Sequence, residues 1–485
     1  MRSKLLFVKI TLISYYLSLC FVSGCSSQFN EANQLDDNIK QTEIWLTKPD
    51  KSALFEKQSE QLKSSENKQE NIIQINMDSS FQAIDGFGFT LTGGSALHIY
   101  NMEAKERKKL LTKLFSIEGN NIGISYLRVS IGASDLDAAP FSYNDLPSGE
   151  TDEALVNFSI EEDHKCLIPV LKEILEIVPD IKILGSPWSP PSWMKTNRDT
   201  RGGSLKPEYY ATYAQYFVKY IQAMQSESIA IDAVTVQNEP LHPGNNPSLL
   251  MLAEQQTEFI KNYLGPAFKK AGIKTKIILY DHNADRPDYP ITILDDPEAK
   301  KYIDGSAFHL YAGKIDTLSK VHEAHPDKNL YFTEQWIGAP GDFPKELAWH
   351  TKTLIIGATR NWCKTVLEWN LANDPDMQPH TDRGGCDRCL GAVTINGNEV
   401  SRNPAFYIIA HASKFVRPGS VRIASNLLKS LPNVAFRTQE GNIVLIVFND
   451  AKIEQKFQIE IGAYLYNASL PSKSVSTYIF RDQKS

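Results

Sequence analysis

Apolar and polar residues recur along this chain in two rhythms, and the change between them divides it. "NIIQINMD" (71–78) alternates with period two, as a half-buried strand does. "EIWLTKPDKSALF" (43–55) also begins strand-like, and the Lys/Glu/Gln/Ser-rich residues 56–70 between them look like a loop. From residue 84 short apolar runs alternate with longer stretches of helical period. The runs are "GFGFTLT" (86–92), "ISYLRVSIG" (124–132), "IKILGSPW" (181–188), "AVTVQNE" (233–239), "KIILYDH" (276–282), "GSAFHLY" (305–311), "NLYFTEQW" (329–336) and "TVLEWNL" (365–371). Helical candidates between them include residues 164–178, 207–224 and 253–271, and a last one follows at 405–416. Alternating strands and helices predict an α/β fold with a parallel sheet, and eight repeats predict a closed (β/α)8 TIM barrel over residues 84–416. Beyond it the period returns to two. "NVAFRTQEGNIVLIVFND" (433–450) reads as a hairpin, and strands follow at 455–462 and 474–480. An accessory antiparallel β-sandwich over residues 417–485 is expected, with the otherwise unpartnered strands of residues 43–83 joining it.

The N-terminus follows neither rhythm. Arg2 and Lys4 precede an apolar stretch from Leu5 to Val22 that Lys9 interrupts, so it reads as a targeting segment and makes a poor membrane span. Its end, "VSGC" (22–25), resembles the bacterial lipoprotein cleavage site. That resemblance implies removal of residues 1–24, lipidation of Cys25, and a polar tether through residue 42 that holds an exported domain off a membrane, with outer-membrane sorting suited by Ser26 and Ser27. A plain secretory signal is the other reading. Of six cysteines, Cys386 and Cys389 form "CDRC"; no second such pair completes a zinc set, and a small disulfide loop or two free thiols both fit.

Across 485 residues the net charge is −6, hydrophobic content is 42% and charged content is 22%. These are ordinary globular values, with no basic stripe that would point to nucleic acid. More telling is where the polar residues fall. The C-terminal ends of the eight runs carry Arg128, Trp188, Asn238 with Glu239, Asp281 with His282, His309 with Tyr311, Glu334, and Trp369 with Asn370. In a barrel these ends converge on one face, where active sites form. Capping of strands by polar residues explains any one of them but the whole set poorly. Glu239 and Glu334 could face each other over the opening, as a retaining glycosidase requires: one carboxyl protonates the leaving oxygen, the other attacks the anomeric carbon, across a gap of about 5–5.5 Å. No cofactor motif and no cluster of metal ligands is visible at the strand ends, so no metal is expected.

With "FQAIDGFG" (81–88), "SPWSPPSWMKTN" (186–197), "VQNEP" (236–240), "FTEQW" (332–336) and "FYIIAHASKFVRPGSVRI" (406–423), the chain resembles glycoside hydrolase family 30, the family of lysosomal glucosylceramidase and its bacterial and fungal relatives. The resemblance runs from about residue 81 to the C-terminus. It implies that Glu239 is the acid/base, Glu334 the nucleophile and Asn238 the holder of the sugar 2-hydroxyl. It places Tyr311 beside Glu334, has Arg128, Trp188 and Trp369 line the sugar pocket, and has His309 buttress it. Flat aromatic walls suit the apolar faces of a sugar. Trp193 and Trp336 read equally as site or structure, while lone histidines such as His242 and His282 are more often structural or surface residues.

One position departs from the pattern. Gly93, in "TLTGGSA" (90–96), stands where an acid for the distal sugar hydroxyls is expected after the first strand. "PHTDRGG" (379–385) offers His380, Asp382 or Arg383 in its place. The expected substrate is a β-linked glucan or glucoside, β-1,6-glucan first and lipid or aryl glucosides of the glucosylceramide type second. A non-catalytic surface glycan-binding lipoprotein is the rival from another class. It predicts a lost carboxylate, and both are present.

Overall fold

The computed structural model describes residues 39–482. The expected signal segment, Cys25 and the tether up to residue 38 lie outside them. All eight apolar runs form strands: Gly86–Thr90 (β1), Tyr126–Ile131 (β2), Lys182–Pro187 (β3), Ala233–Thr235 (β4), Lys276–Asn283 (β5), Ile303–His309 (β6), Asn329–Glu334 (β7) and Cys363–Asn370 (β8). They pair in parallel in sequence order, and β8 closes on β1. The expected helices lie at Leu167–Ile177, Tyr210–Ser226 and Pro404–Ser413, and the one expected at 253–271 runs from Ala253–Phe259 through a π-helical turn, Ile260–Leu264, into Gly265–Ala271.

The barrel interior is built in layers. Tyr126, Leu184, Ala233, Ile278, Ala307, Tyr331 and Leu367, from β2 to β8 in turn, make one buried apolar layer. β1 contributes Gly88, where a Cβ would lie 1.9 Å from the Tyr126 carbonyl oxygen, so only glycine lets β1 and β2 come this close. Strand side chains alternate between faces, so the next inward layer lies two residues on. It consists of Arg128, Ser186, Thr235, His309, Thr333 and Trp369, with one exception in phase. On β5 the inward residue is Asp281, three positions after Ile278. Tyr280 and Asp281 both have left-handed backbones, with φ of 73° and 64°. The register on β6 passes from Tyr280 to His282, skipping Asp281. This bulge sends Tyr280 outward against Tyr289 and Phe308 and turns Asp281 in.

The remaining strands form one ten-stranded ladder in the order 54–57, 39–47, 475–482, 443–448, 433–437, 421–425, 72–83, 455–461, 464–470, 63–64. Both early strands join it, as expected, and the presumed loop at 56–70 supplies a short edge strand. One pairing corrects the antiparallel reading: Gln455–Ile461 runs parallel to Ile72–Ala83. The two halves of the ladder enclose a common core that includes Ile73, Leu445, Ile459 and Tyr478.

A histidine joins the sandwich to the barrel. His411, on the last barrel helix, is buried between Thr47 Oγ1 and Thr477 Oγ1, each 2.8 Å from a ring nitrogen. Thr477 Oγ1 donates to the His411 carbonyl, so His411 Nδ1–H donates to Thr477, and Nε2 accepts from Thr47. This arrangement needs a neutral ring, and burial pushes the His411 pKa down from 6.5 to about 3. Between those values the unfolded chain binds the proton and the folded chain does not, so folding stability falls as pH falls through that window, by up to about 1.4 kcal/mol per pH unit. Urea unfolding of the native chain between pH 7 and pH 4 should show this loss, and His411→Gln should flatten the pH dependence even though it lowers stability at pH 7. An unchanged slope in the variant would count against this role.

Candidate active site

Directly above the apolar layer lies a polar floor centred on Arg128 and Asp281, both fully buried. Arg128 donates from Nη2 to Asp281 Oδ2 at 2.8 Å and to Asn238 Oδ1 at 2.6 Å, from Nη1 to Glu334 Oε2 at 2.5 Å, and from Nε to Ser186 Oγ at 3.1 Å. Asp281 also accepts from Ser186, Thr235 and Thr333 hydroxyls at 2.9, 2.7 and 2.6 Å, and faces His309 Nε2 at 3.1 Å. Burial opposes its charge, but Arg128 and these donors win and hold the carboxyl well below the ordinary range.

Glu239 and Glu334 stand on this floor, Glu239 just past β4 and Glu334 at the end of β7. Glu239 has φ of 46°, a left-handed conformation rare for a glutamate, and its N–H is tied to the Asp281 carbonyl at 3.0 Å. His309 Nδ1 lies 3.3 Å from Glu239 Oε1 and 3.7 Å from Glu334 Oε1, so both carboxylates face one ring nitrogen. Tyr311 donates to Glu334 Oε1 at 2.9 Å, and Asn245 Nδ2 donates to Glu239 Oε2 at 3.3 Å. Asn238 commits its oxygen to Arg128, which leaves its NH2 as the group offered to the pocket.

Burial raises Glu334 above the usual glutamate range, against the pull of His309 and Arg128. Burial acts on Glu239 too, but His282 and His309 beside its Oε1 outweigh it and lower that carboxyl. His309 is raised to about 9: burial opposes its charge, and the Glu334 charge with the Asp281 and Glu239 bonds overcomes that. Arg128 and Tyr311, the donors that stabilise negative charge, both sit on Glu334.

The pocket above has a volume of about 360 Å³. Trp188 and Trp369 form one wall, ring centroids 5.4 Å apart, with the Arg128 guanidinium 4.8 Å from the Trp188 ring. Trp188 Nε1 is buried without a hydrogen-bond partner, which leaves it for a ligand, and His282 Nδ1, also without a hydrogen bond, lies 3.7 Å from Glu239 Oε1. Trp336, His242, Asn245, His282 and Asn283 complete the lining with a disulfide, Cys386–Cys389. Trp193 lies outside the pocket, its Nε1 donating to Asn144.

Several expectations need correction. No residue of loop 379–385 takes the acidic place left by Gly93; the acid that lines the pocket is Asp135, in the loop after β2. Burial and then the charges of Glu334 and Glu239 raise it to about 8. No side chain fits at Gly93, because a Cβ there would lie 1.6 Å from Asp137 Oδ1. His380, Asp382 and Arg383 are not in the pocket wall. His380 turns to the Thr381 carbonyl, Arg383 pairs with Asp199 at 3.0 Å, and exposed Asp382 accepts from Asn246 Nδ2 at 2.8 Å. Asp382 thus braces the loop that carries Asn245. A grouping not apparent from the strand ends in sequence is also present: Glu239, His282 and His309 bring three donor atoms within 4.8 Å of one another.

The glycosyl hydrolase family 30 TIM-barrel domain matches residues 84–416, and the family 30 β-sandwich domain matches residues 419–478. The chain belongs to glycosyl hydrolase family 30. Two fungal relatives of this hydrolase are endo-1,6-β-D-glucanases. The one from Aspergillus fumigatus is 33% identical over 82% of this chain and 85% of its own length. The one from Neurospora crassa is 38% identical over 70% and 72%. A solved endo-β1,6-glucanase superposes with a TM-score of 0.85 at 35% identity, covering 92% of this chain and 100% of that one.

Asp281→Asn keeps the shape of the side chain and removes its charge. It leaves the buried Arg128 short of a counterion and frees His309. Urea unfolding should show a loss of about 3 kcal/mol, and turnover should fall at least about 100-fold. A variant of native stability and activity would show that the pair does not organise the floor.

Proposed function

We propose that this family 30 hydrolase cleaves β-1,6-glucan within the chain, with Glu239 as acid/base and Glu334 as nucleophile. The observation that carries the assignment of roles is the unequal support of two facing carboxylates. Glu334 receives Arg128 and Tyr311, donors that stabilise negative charge and aim the oxygen. Glu239 has no guanidinium or phenol donor and touches only imidazoles and an amide at 3.3 Å or more.

In the first step Glu334 attacks the anomeric carbon while Glu239 gives its proton to the glycosidic oxygen, and the shortened glucan leaves. A glucosyl ester on Glu334 remains. In the second step Glu239 takes a proton from water, the water oxygen attacks the same carbon, and Glu334 departs as carboxylate, so the β-configuration is retained. The Asn238 NH2 is placed to hold the sugar 2-hydroxyl, a bond that tightens as charge develops on the ring. Trp188 and Trp369 offer a flat face to the ring carbons, and Asp135 a hydrogen-bonding group to its far hydroxyls.

The preference for β-1,6 linkages is supported by the names of the relatives and by the open, aromatic-walled pocket. The proposed setting is an exported enzyme held to a membrane through lipid on Cys25, on the strength of "VSGC" alone. Glu239→Ala should lose about 10³-fold in kcat/KM on β-1,6-glucan, keep its rate on glucosides with good leaving groups, and yield β-glucosyl azide when azide is added. Equal losses on both substrates with no azide adduct would remove Glu239 from the role. Native enzyme should prefer β-1,6-glucan over β-1,3-glucan, xylan and aryl glucosides. A preference for any of these would overturn the substrate.

A further inference from the structure

Glu239 shares its surroundings with two imidazoles in an arrangement that the hydrolytic steps do not require. His282 Nδ1 lies 3.7 Å from Glu239 Oε1, and His309 Nδ1 lies 3.3 Å from the same oxygen. Two donors each about 2.1 Å from a tetrahedral ion sit about 3.4 Å apart, and the three donors here lie within 4.8 Å of one another, so the imidazoles would draw together on a common centre. All three side chains are more than nine-tenths buried, with exposures of 7% for Glu239, 7% for His282 and 0% for His309.

We propose that Glu239, His282 and His309 bind a late first-row divalent ion, Zn2+ being the best match, and that the ion shuts the hydrolase off by occupying the acid/base. Three features point there. His282 Nδ1 is buried without a hydrogen bond and lies 3.7 Å from the Glu239 oxygen. The far nitrogen of His309 faces Asp281 Oδ1 at 3.1 Å, the carboxylate–histidine pairing that orients imidazoles on metals. Asp135, Glu239, Asp281 and Glu334 bring four carboxyl groups to the site, and Arg128 is the one guanidinium among them. Two nitrogens and one oxygen favour zinc and its neighbours over Mg2+ or Ca2+, which prefer oxygen shells. The fourth position opens into the pocket, where water completes the shell. An ion so placed ties up the Glu239 oxygen that must carry the proton and fills the space of the glycosidic bond.

The inhibitory consequence rests on the acid/base role of Glu239; the binding does not. The test is therefore a binding measurement on the native enzyme, made with Zn2+ by calorimetry and with Co2+ by its visible absorption. One ion per chain, and a Co2+ band of the intensity of a four-coordinate nitrogen/oxygen site, are expected. His282→Ala and Glu239→Gln should each weaken Zn2+ binding at least 10-fold, with melting curves confirming that both fold. Glu239→Gln alone carries the comparison if His282→Ala does not fold. Zn2+ should inhibit hydrolysis of β-1,6-glucan over the same concentration range in which it binds, with chelator restoring the rate. No saturable binding, or an affinity unchanged in the folded variants, would overturn the proposal. Failure of azide rescue in Glu239→Ala would strike the catalytic role while leaving the metal data standing.

Discussion

One buried ion pair organises this molecule's chemistry. Arg128 and Asp281 meet inside the barrel with no exposure to water, and every group of the reaction is fixed by one or the other. Arg128 reaches Glu334 and Asn238; Asp281 reaches His309, and its backbone carbonyl holds the Glu239 N–H. Two charges taken out of water are costly, and such a pair stabilises a fold less than apolar packing of the same volume would. Its place in the structure is therefore better explained by what it positions than by what it adds to stability. The three hydroxyls of Ser186, Thr235 and Thr333 complete the shell of Asp281 and keep it charged where a lone carboxylate would take up a proton.

Much of this was legible in the sequence, because barrel geometry converts periodicity into position. Eight apolar runs predicted eight strands. Since the C-terminal strand ends of a barrel converge on one face, Arg128, Trp188, Asn238, His309, Tyr311, Glu334 and Trp369 could be assigned to that face before any contact was known. Asp281 stood out as a strand-end residue, but its inward aim depends on a bulge at Tyr280 and Asp281. Both are L-residues with positive φ, and neither type announces that conformation. The alternation of period two fails at the residue on which the site depends most.

The other gaps have equally local causes. Asp135 lies beyond the end of β2, in a loop whose path no periodicity gives. It is not a strand-end residue, and with Gly93 at the family's acidic position the polar loop 379–385 looked the better replacement. The polar loop 379–385 looked like a sugar-binding loop because polarity alone does not separate groups that face a ligand from groups that brace one. Asp382 and Thr381 hold Asn246 and so support Asn245 beside Glu239. A few residues on, the Cys386–Cys389 disulfide brings the same segment to the pocket wall. The sandwich was predicted from its alternation, yet its seam with the barrel rests on a neutral histidine between two threonines, a pairing visible only in three dimensions.

The account turns on Glu334 being the carboxylate that Arg128 holds charged and ready to attack. Inactivation with a 2-deoxy-2-fluoro-β-glucosyl fluoride traps the glycosyl-enzyme, and mass spectrometry of the digested protein locates the label. The account predicts a single adduct on Glu334, within "NLYFTEQW", and an Arg128→Lys variant that labels far more slowly at the same residue. An adduct on Glu239, or full inactivation with no covalent label, would contradict it.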